Sequence, residues 1–371
     1  MKYFSKAKLL FAIVINSSGF LYAEGISTNA INWGFLTMGL FGGLSLFLYG
    51  MAKMSDGLKK AAGNQMRNIL ATLTKNRVVA LFVGAFVTMV IQSSSATTVM
   101  LVSFVQANLM TYVQSIGIIL GANIGTTITA QLVAFKLTDY ALLMITVGFT
   151  LTVFSKKESL RHIGEAILGF GILFFGMKIM SDSMYPLRSF QPFIDTMKGL
   201  ENPFFGLMIG AAFTALIQSS SAFTGIVIVL AQQGLLTLEA GIPLILGANI
   251  GTCVTAGLAS IGTIREAKRV AIAHVLFNIG GVMIFVWLIP PLAELVRSLS
   301  SVSGLSGMEK LAAETPRQIA NAHTIFNISV GLIFLPFTGI LAKQVYRLLP
   351  RIEETKGIKP ALWHLDDSQI A

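Results

Sequence analysis

Residues 92–98 read Gln-Ser-Ser-Ser-Ala-Thr-Thr, and residues 218–224 read Gln-Ser-Ser-Ser-Ala-Phe-Thr, both inside apolar runs. Serines so placed could act as nucleophiles only with a base in reach, and neither segment has one nearby. Their other chemistry is that of a broken helix, where freed backbone N–H groups and hydroxyls face a cavity. Non-helical backbone at membrane depth is tolerated only where it is buried in protein or lines such a cavity. The expected groups are Gln92, Ser93, Ser94 and Ser95 on one side and Gln218, Ser219, Ser220 and Ser221 on the other.

A second motif follows each of these. Gly-Ala-Asn-Ile-Gly-Thr-Thr at 121–127 returns as Gly-Ala-Asn-Ile-Gly-Thr-Cys at 247–253, so that Asn123, Thr126 and Thr129 recur as Asn249, Thr252 and Thr255. Glycines flanking an asparagine break an apolar helix, and neutral amide and hydroxyl oxygens beside unwound backbone replace part of a cation's hydration shell. Apart from Glu239 at one outer edge, neither motif nor its hairpin contains Asp, Glu, Lys or Arg. A proton-coupled carrier needs a titratable group at depth, whereas uncharged oxygens suffice for sodium. An anion bound without a basic side chain then relies on N–H dipoles and co-bound cations. These residues favour a sodium-coupled anion carrier, with Na+ as coupling ion and no organic cofactor. Signatures of hydrolases, metalloproteases and nucleotide-binding loops are absent from the sequence, so no catalytic residues are assigned and no enzyme is expected.

A third pair, Ala-His-Val-Leu-Phe-Asn at 273 and Ala-His-Thr-Ile-Phe-Asn at 322, lies 49 residues apart. His274 and Asn278, like His323 and Asn327, share a helix face. We read all four as structural support through interhelical hydrogen bonds, with a pH-sensitive or substrate-path role as the alternative.

The elements that position these groups belong to a membrane protein. Hydrophobic residues make up 54% of the 371, charged residues only 12%, and mean hydropathy is +0.74. The net charge of +10 sits in segments between apolar runs, which excludes a nucleic-acid-binding patch and reads as topology signals in a lipid bilayer. The single cysteine, Cys253, permits no intrachain disulfide.

The repeats share one register. The GANIG decapeptides match at eight of ten positions and the segments from Gly84 and Gly210 at ten of fifteen, all at an offset of 126 residues. This marks a duplicated unit. Residues 78–92 span only about 22 Å as helix, too short for a hydrocarbon core of about 30 Å, so the QSSS segment is expected to enter, turn and leave on the same side. Each unit then crosses the membrane three times, and an odd number inverts the second copy. Charge placement agrees: with Glu24 outside, 17 basic residues fall on the inside and six outside.

The expected fold is an all-α integral membrane protein of two inverted repeats, each with a re-entrant QSSS hairpin and a broken GANIGT helix, plus a C-terminal helix. Its parts are 1–23, a cleaved signal peptide or an N-terminal anchor; repeat 1 at 34–160; repeat 2 at 161–291; an external loop at 292–318; a last transmembrane helix at 319–342; and a cytoplasmic tail at 343–371. Such a chain is a multi-pass protein of the cell (inner) membrane with its C-terminus cytoplasmic.

The duplicated QSSS, the paired GANIGT segments and the A-H-x-x-F-N that follows resemble the type II sodium-dependent phosphate cotransporters, in a bacterial form, over roughly 34–342. The resemblance implies that inorganic phosphate binds between the hairpin tips on Ser93, Ser94, Ser95, Ser219, Ser220 and Ser221, with Gln92 and Gln218 orienting them. It implies one sodium site at Gln218, Ser219, Thr252 and Thr255, and by symmetry a second at Gln92, Ser93, Thr126 and Thr129. Cys253 stands where the first copy has Thr127, which puts that one ligand position in doubt. Another oxyanion such as sulfate, a dicarboxylate, and a channel or phosphate-sensing scaffold remain open alternatives. A homodimer is compatible with the sequence but is specified by no motif.

Overall fold

The computed structural model describes residues 31–63, 76–135, 137–300 and 304–350. The N-terminal segment 1–23 and the tail beyond residue 350 lie outside these. Fifteen α-helices occupy the described residues. The first half contains α1 (Trp33–Ala62), α2 (Arg77–Ile91), α3 (Ser94–Gln106), α4 (Tyr112–Ala134) and α5 (Ala141–Phe154). The middle contains α6 (Glu158–Met184), α7 (Gln191–Gly199), α8 (Pro203–Ile217), α9 (Ser220–Gln232), α10 (Leu238–Gly251) and α11 (Cys253–Ala259). The chain then runs through α12 (Arg265–Phe285), α13 (Ile289–Leu299), α14 (Gly307–Phe334) and α15 (Thr338–Leu348). Among the described residues, six helical runs are long and apolar enough to cross a membrane, or seven if the pair α7 and α8, bent by 98°, counts as one.

The duplication is carried into the helix ends. Both ends of α2 and α8, and both ends of α3 and α9, stand 126 residues apart. Their caps match because the same residue types recur. Asn76 accepts from Val78 N and Asn202 from Phe204 N, while Thr111 and Thr237 cap α4 and α10.

Glycine sets the packing between copies. A Cβ on Gly43 of α1 would fall 2.7 Å from the Gly176 carbonyl oxygen of α6, and one on Gly169 would fall 2.7 Å from that of Gly50. Gly43 and Gly169, like Gly50 and Gly176, are repeat equivalents, so the contact is two-fold and self-complementary. The partner number falls from 176 to 169 as the residue number rises from 43 to 50, so the equivalent helices α1 and α6 run antiparallel. Within each copy the opposite holds: Gly117 meets Ala80 and Gly125 meets Thr88, so α2 and α4 run parallel. Small residues at these positions let backbones approach where no aqueous hydrophobic effect drives association.

Two expectations change here. The GANIGT segment does not break the first helix, since α4 passes through it unbroken, and in the second copy only Thr252 interrupts the helix between α10 and α11. The glycines seat helix on helix instead: Gly121 packs on Leu81 and Ala85, and Gly247 on Leu207. The expected external loop 292–318 is also largely helical, because α13 runs to Leu299 and α14 starts at Gly307. Pro290 and Pro291 sit in the first turn of α13, where a missing N–H costs little, whereas Pro316 lies inside α14. The helical run that contains the expected span 319–342 is longer than that span: it comprises α14, a 3-10 turn and α15, and takes in residues 343–348 of the expected tail.

A second duplication becomes visible in this region. The runs from α12 to α13 and from α14 to α15 each pass through a short 3-10 turn, Val286–Leu288 and Leu335–Phe337, and these turns and the C-terminal ends of the runs stand 49 residues apart. α12 packs on α3 as α14 packs on α9, so these two units flank the two hairpins in equivalent ways.

Candidate functional site

Each QSSS segment is a reversal between two short helices. Gln92 (φ 60°, ψ 23°) and Gln218 (φ 59°, ψ 24°) both adopt the left-handed conformation, which costs an L-residue about 1–2 kcal/mol. The next residue caps the outgoing helix: Ser93 Oγ accepts from Ala96 N at 3.1 Å and Ser219 Oγ from Ala222 N at 3.2 Å. At the first tip the hydroxyls of Thr88 and Thr97 meet at 2.9 Å. Nine residues of continuous helix would hold them about 13 Å apart, so the chain doubles back there. Ser94, Ser95, Ser220 and Ser221 occupy the first turns of α3 and α9 and are buried. A buried helix start presents unpaired N–H groups and the positive end of the helix dipole, and here hydroxyls stand beside them.

The structure brings each hairpin to the other copy's GANIG helix, because α9 packs against α4 and α3 against α11. The first half-site is closed. Thr129 Oγ1 donates to Gln92 Oε1 at 2.6 Å, and Gln92 Nε2 donates to the Met89 carbonyl. Its counterpart is open: Gln218 is exposed, while the Thr214, Thr224 and Thr255 hydroxyls are buried with no hydrogen-bond partner. Thr126 and Thr252 both turn back on their own helices, onto the Ala122 carbonyl at 3.0 Å and the Asn249 carbonyl at 2.6 Å. In this conformation neither threonine hydroxyl is committed to the tip glutamine.

The asparagines of the GANIG helices bridge to the flanking units. Asn123 Nδ2 donates to Asn278 Oδ1 at 2.7 Å, and Asn249 Nδ2 donates to Asn327 Oδ1 at 2.8 Å. Asn278 and Asn327 in turn donate to the His274 and His323 carbonyls, both at 2.9 Å. Each chain of bonds spans two helices at full burial. His323 Nε2 also lies 3.4 Å from Asn249 Oδ1, whereas both ring nitrogens of His274 are buried without a partner.

Sequence reasoning missed a set of residues at the helix ends. Arg269 is completely buried. Its Nε and Nη2 donate to the Leu349 carbonyl at 3.0 and 2.9 Å, it pairs with Glu266, and it lies 4.4 Å from the Tyr346 ring centroid. Gln318, 49 residues later, reaches the Ser300 carbonyl at 3.5 Å in the same manner. The signal in the sequence was the 49-residue spacing, read only at the histidine motif. Cavities of about 330 and 270 Å³ open beside these ends, one lined by Thr237, Arg297 and Thr315 and the other by Thr111, Tyr346 and Glu266, away from the serine tips.

Geometry of this kind can be compared with known proteins. A model described as Na+/Pi-cotransporter matches residues 46–182 and 189–312, well over half of the chain. The chain belongs to the Na+/Pi-cotransporter family. Among its relatives, "Uncharacterized protein YqeW" of Bacillus subtilis is 31% identical over 305 residues, 82% of this chain and 95% of that protein. "Putative inorganic phosphate export protein YjbB" of Escherichia coli K12 is 25% identical over 337 residues, 89% of this chain but only 59% of its own length. "Sodium-dependent phosphate transport protein 2B" of Homo sapiens is 36% identical over 129 residues, 32% of this chain and 19% of that protein. No solved structure matches the chain. Membership of the Na+/Pi-cotransporter family, with six candidate spans, makes this a multi-pass membrane protein of a transporter family and not an enzyme.

Proposed function

We propose that the protein couples sodium to the movement of inorganic phosphate across the cell membrane by alternating access. The observation that carries this reading is the pair of matching tips, each with a left-handed glutamine, a serine cap and two buried serines at a helix start. Phosphate sits between them on the serine hydroxyls and first-turn N–H groups of Ser93, Ser94, Ser95, Ser219, Ser220 and Ser221. Sodium takes the neutral oxygens of Gln218, Ser219, Asn249, Thr252 and Thr255, with a second ion at Gln92, Ser93, Asn123, Thr126 and Thr129. These groups carry no positive charge, so bound sodium supplies the counter-charge that the anion needs, and each ligand binds weakly without the other.

Antiparallel α1 and α6 support an arrangement in which the copies are inverted across the membrane, with the C-terminus cytoplasmic. Alternating access then follows from rocking one part of the duplicated core against the rest. The relatives named for sodium-dependent transport favour sodium as the coupling ion.

The test is radiolabelled phosphate flux in liposomes holding the purified protein, with sodium, potassium or proton gradients of either direction. Saturable flux that follows the sodium gradient and is competed by arsenate supports the assignment. Flux driven by protons refutes the coupling, competition by sulfate or succinate refutes the substrate, and unsaturable leak indicates a channel.

A further inference from the structure

The two half-sites have the same sequence pattern and different conformations, and the differences are correlated. In the first copy Gln92 is bonded to Thr129, Thr88 to Thr97, and α4 is continuous. In the second Gln218 is exposed, the Thr214 and Thr255 hydroxyls lack partners, and the helix is interrupted at Thr252. The flanking histidines differ in step with this. His323 Nε2 faces Asn249 Oδ1 at 3.4 Å, and that oxygen can only accept, so the nitrogen is the donor. His274 occupies the equivalent place beside Asn123, is 0% exposed, and has neither ring nitrogen satisfied.

A buried polar ring without partners calls for a physical explanation. The acceptor that corresponds to Asn249 in the first copy is Asn123. Asn123 is held by Asn278, and Asn278 by the His274 carbonyl, in the arrangement that presents Asn249 to His323. Moving the first copy into the conformation of the second therefore brings the His274 ring to Asn123.

We infer that His274 and His323 are positioning residues that engage their asparagines in alternation. His323 holds Asn249 in the conformation seen here; His274 holds Asn123 in the oppositely facing one, while the second half-site closes as the first is closed now. This rests on the alternating-access reading above, since a duplicated carrier reaches its opposite state when its two copies exchange conformations. It goes beyond that reading by naming the groups that select the state without touching phosphate or sodium. Cys253, which contacts the His274 carbonyl at 3.8 Å, links the second GANIG helix to the histidine that serves the first.

Hydrogen exchange read by mass spectrometry on the full chain in lipid nanodiscs, with neither sodium nor phosphate present, tests this. In the native protein 247–256 exchanges faster than 121–130, because only the former is interrupted. His323→Leu removes the bond made in this conformation, so protection rises at 247–256 and falls at 121–130, each by about fivefold, the population shift carried by one neutral hydrogen bond. His274→Leu removes a bond absent here, so protection at 121–130 is kept or increased. His323→Gln retains an N–H donor and keeps the native pattern.

A bracing role without alternation gives the opposite signs: His323→Leu lowers protection at 247–256 and leaves 121–130 unchanged, and His274→Leu lowers it at 121–130. Those results, or equal exchange of the two segments in the native protein, overturn the inference. Should His323→Leu fail to stay monodisperse, His274→Leu and His323→Gln decide it alone. Because no substrate is present, failure of the sodium or phosphate assignment would appear in the flux assay and not here.

Discussion

Replacing each tip glutamine by glycine separates backbone strain from side-chain chemistry. Gln92 and Gln218 share the same left-handed conformation, with φ of 60° and 59°. Glycine relieves the steric cost of that conformation, about 1–2 kcal/mol, and returns about 0.5–1 kcal/mol through the greater freedom of the unfolded chain. The backbone contribution alone therefore favours glycine by roughly 0.5–1 kcal/mol at both tips. The side chains divide the two positions. Gln92 accepts from Thr129 and donates to Met89, and losing these bonds costs about 1 kcal/mol each, with the Thr129 hydroxyl left buried. Gln218 is exposed and gives up no comparable bond.

The expected result is that Gln218→Gly stabilises the protein by about 0.5–1 kcal/mol while Gln92→Gly destabilises it by about 1–2 kcal/mol. Denaturation in mixed detergent micelles, followed by circular dichroism, measures the difference. Phosphate flux in liposomes should fall in both variants, because both lose an oxygen from a proposed sodium site. Equal destabilisation at the two tips would refute the asymmetry, and undiminished flux in Gln218→Gly would remove that side chain from the site.

Further predictions concern the site and its scaffold. Ser220→Leu places a branched side chain at a buried helix start, and phosphate flux should be abolished while the protein still reaches the membrane, as quantified by immunoblotting of membrane fractions. Thr252→Val removes one hydroxyl and should raise the sodium concentration for half-maximal flux several-fold with little change at saturating sodium; an unchanged sodium dependence would count against that site. Gly176→Val drives a side chain into the backbone of α1, where a Cβ would already lie 2.5 Å from Phe47 N. A cost of about 1–3 kcal/mol or more is expected in the same denaturation assay, and native stability would refute the close α1 to α6 contact.

Much of the organisation was legible in the order of residues alone. The hydropathy pattern specifies a membrane chain because lipid requires every backbone group to be satisfied within helices. The 126-residue offset of QSSS and GANIG announces the duplication, and 15 residues from Val78 to Gln92 are too few to span, so the hairpin follows from length. What misled was composition. Glycine beside asparagine in 121–125 suggested unwinding, yet α4 continues because its glycines are occupied by α2 at close range. The polar stretch after Leu292 suggested a loop, yet α14 begins at Gly307. Local signals report what a segment tolerates, and neighbouring helices choose among the tolerated forms.

Sequence by itself determined the two tips, the two amide motifs and the two histidine motifs as separate pairs. Only the tertiary structure decided how the pairs combine: Asn123 meets Asn278, 155 residues away, and Asn249 meets Asn327, 78 residues away. It likewise decided that the 49-residue repeat of α12 and α14 serves the 126-residue repeat, one copy to each GANIG helix, and that one half-site is closed while its twin is open. The physical reason is that periodicity and propensity act over a few turns of chain, whereas a buried amide takes whichever partner the packing of distant helices brings within reach.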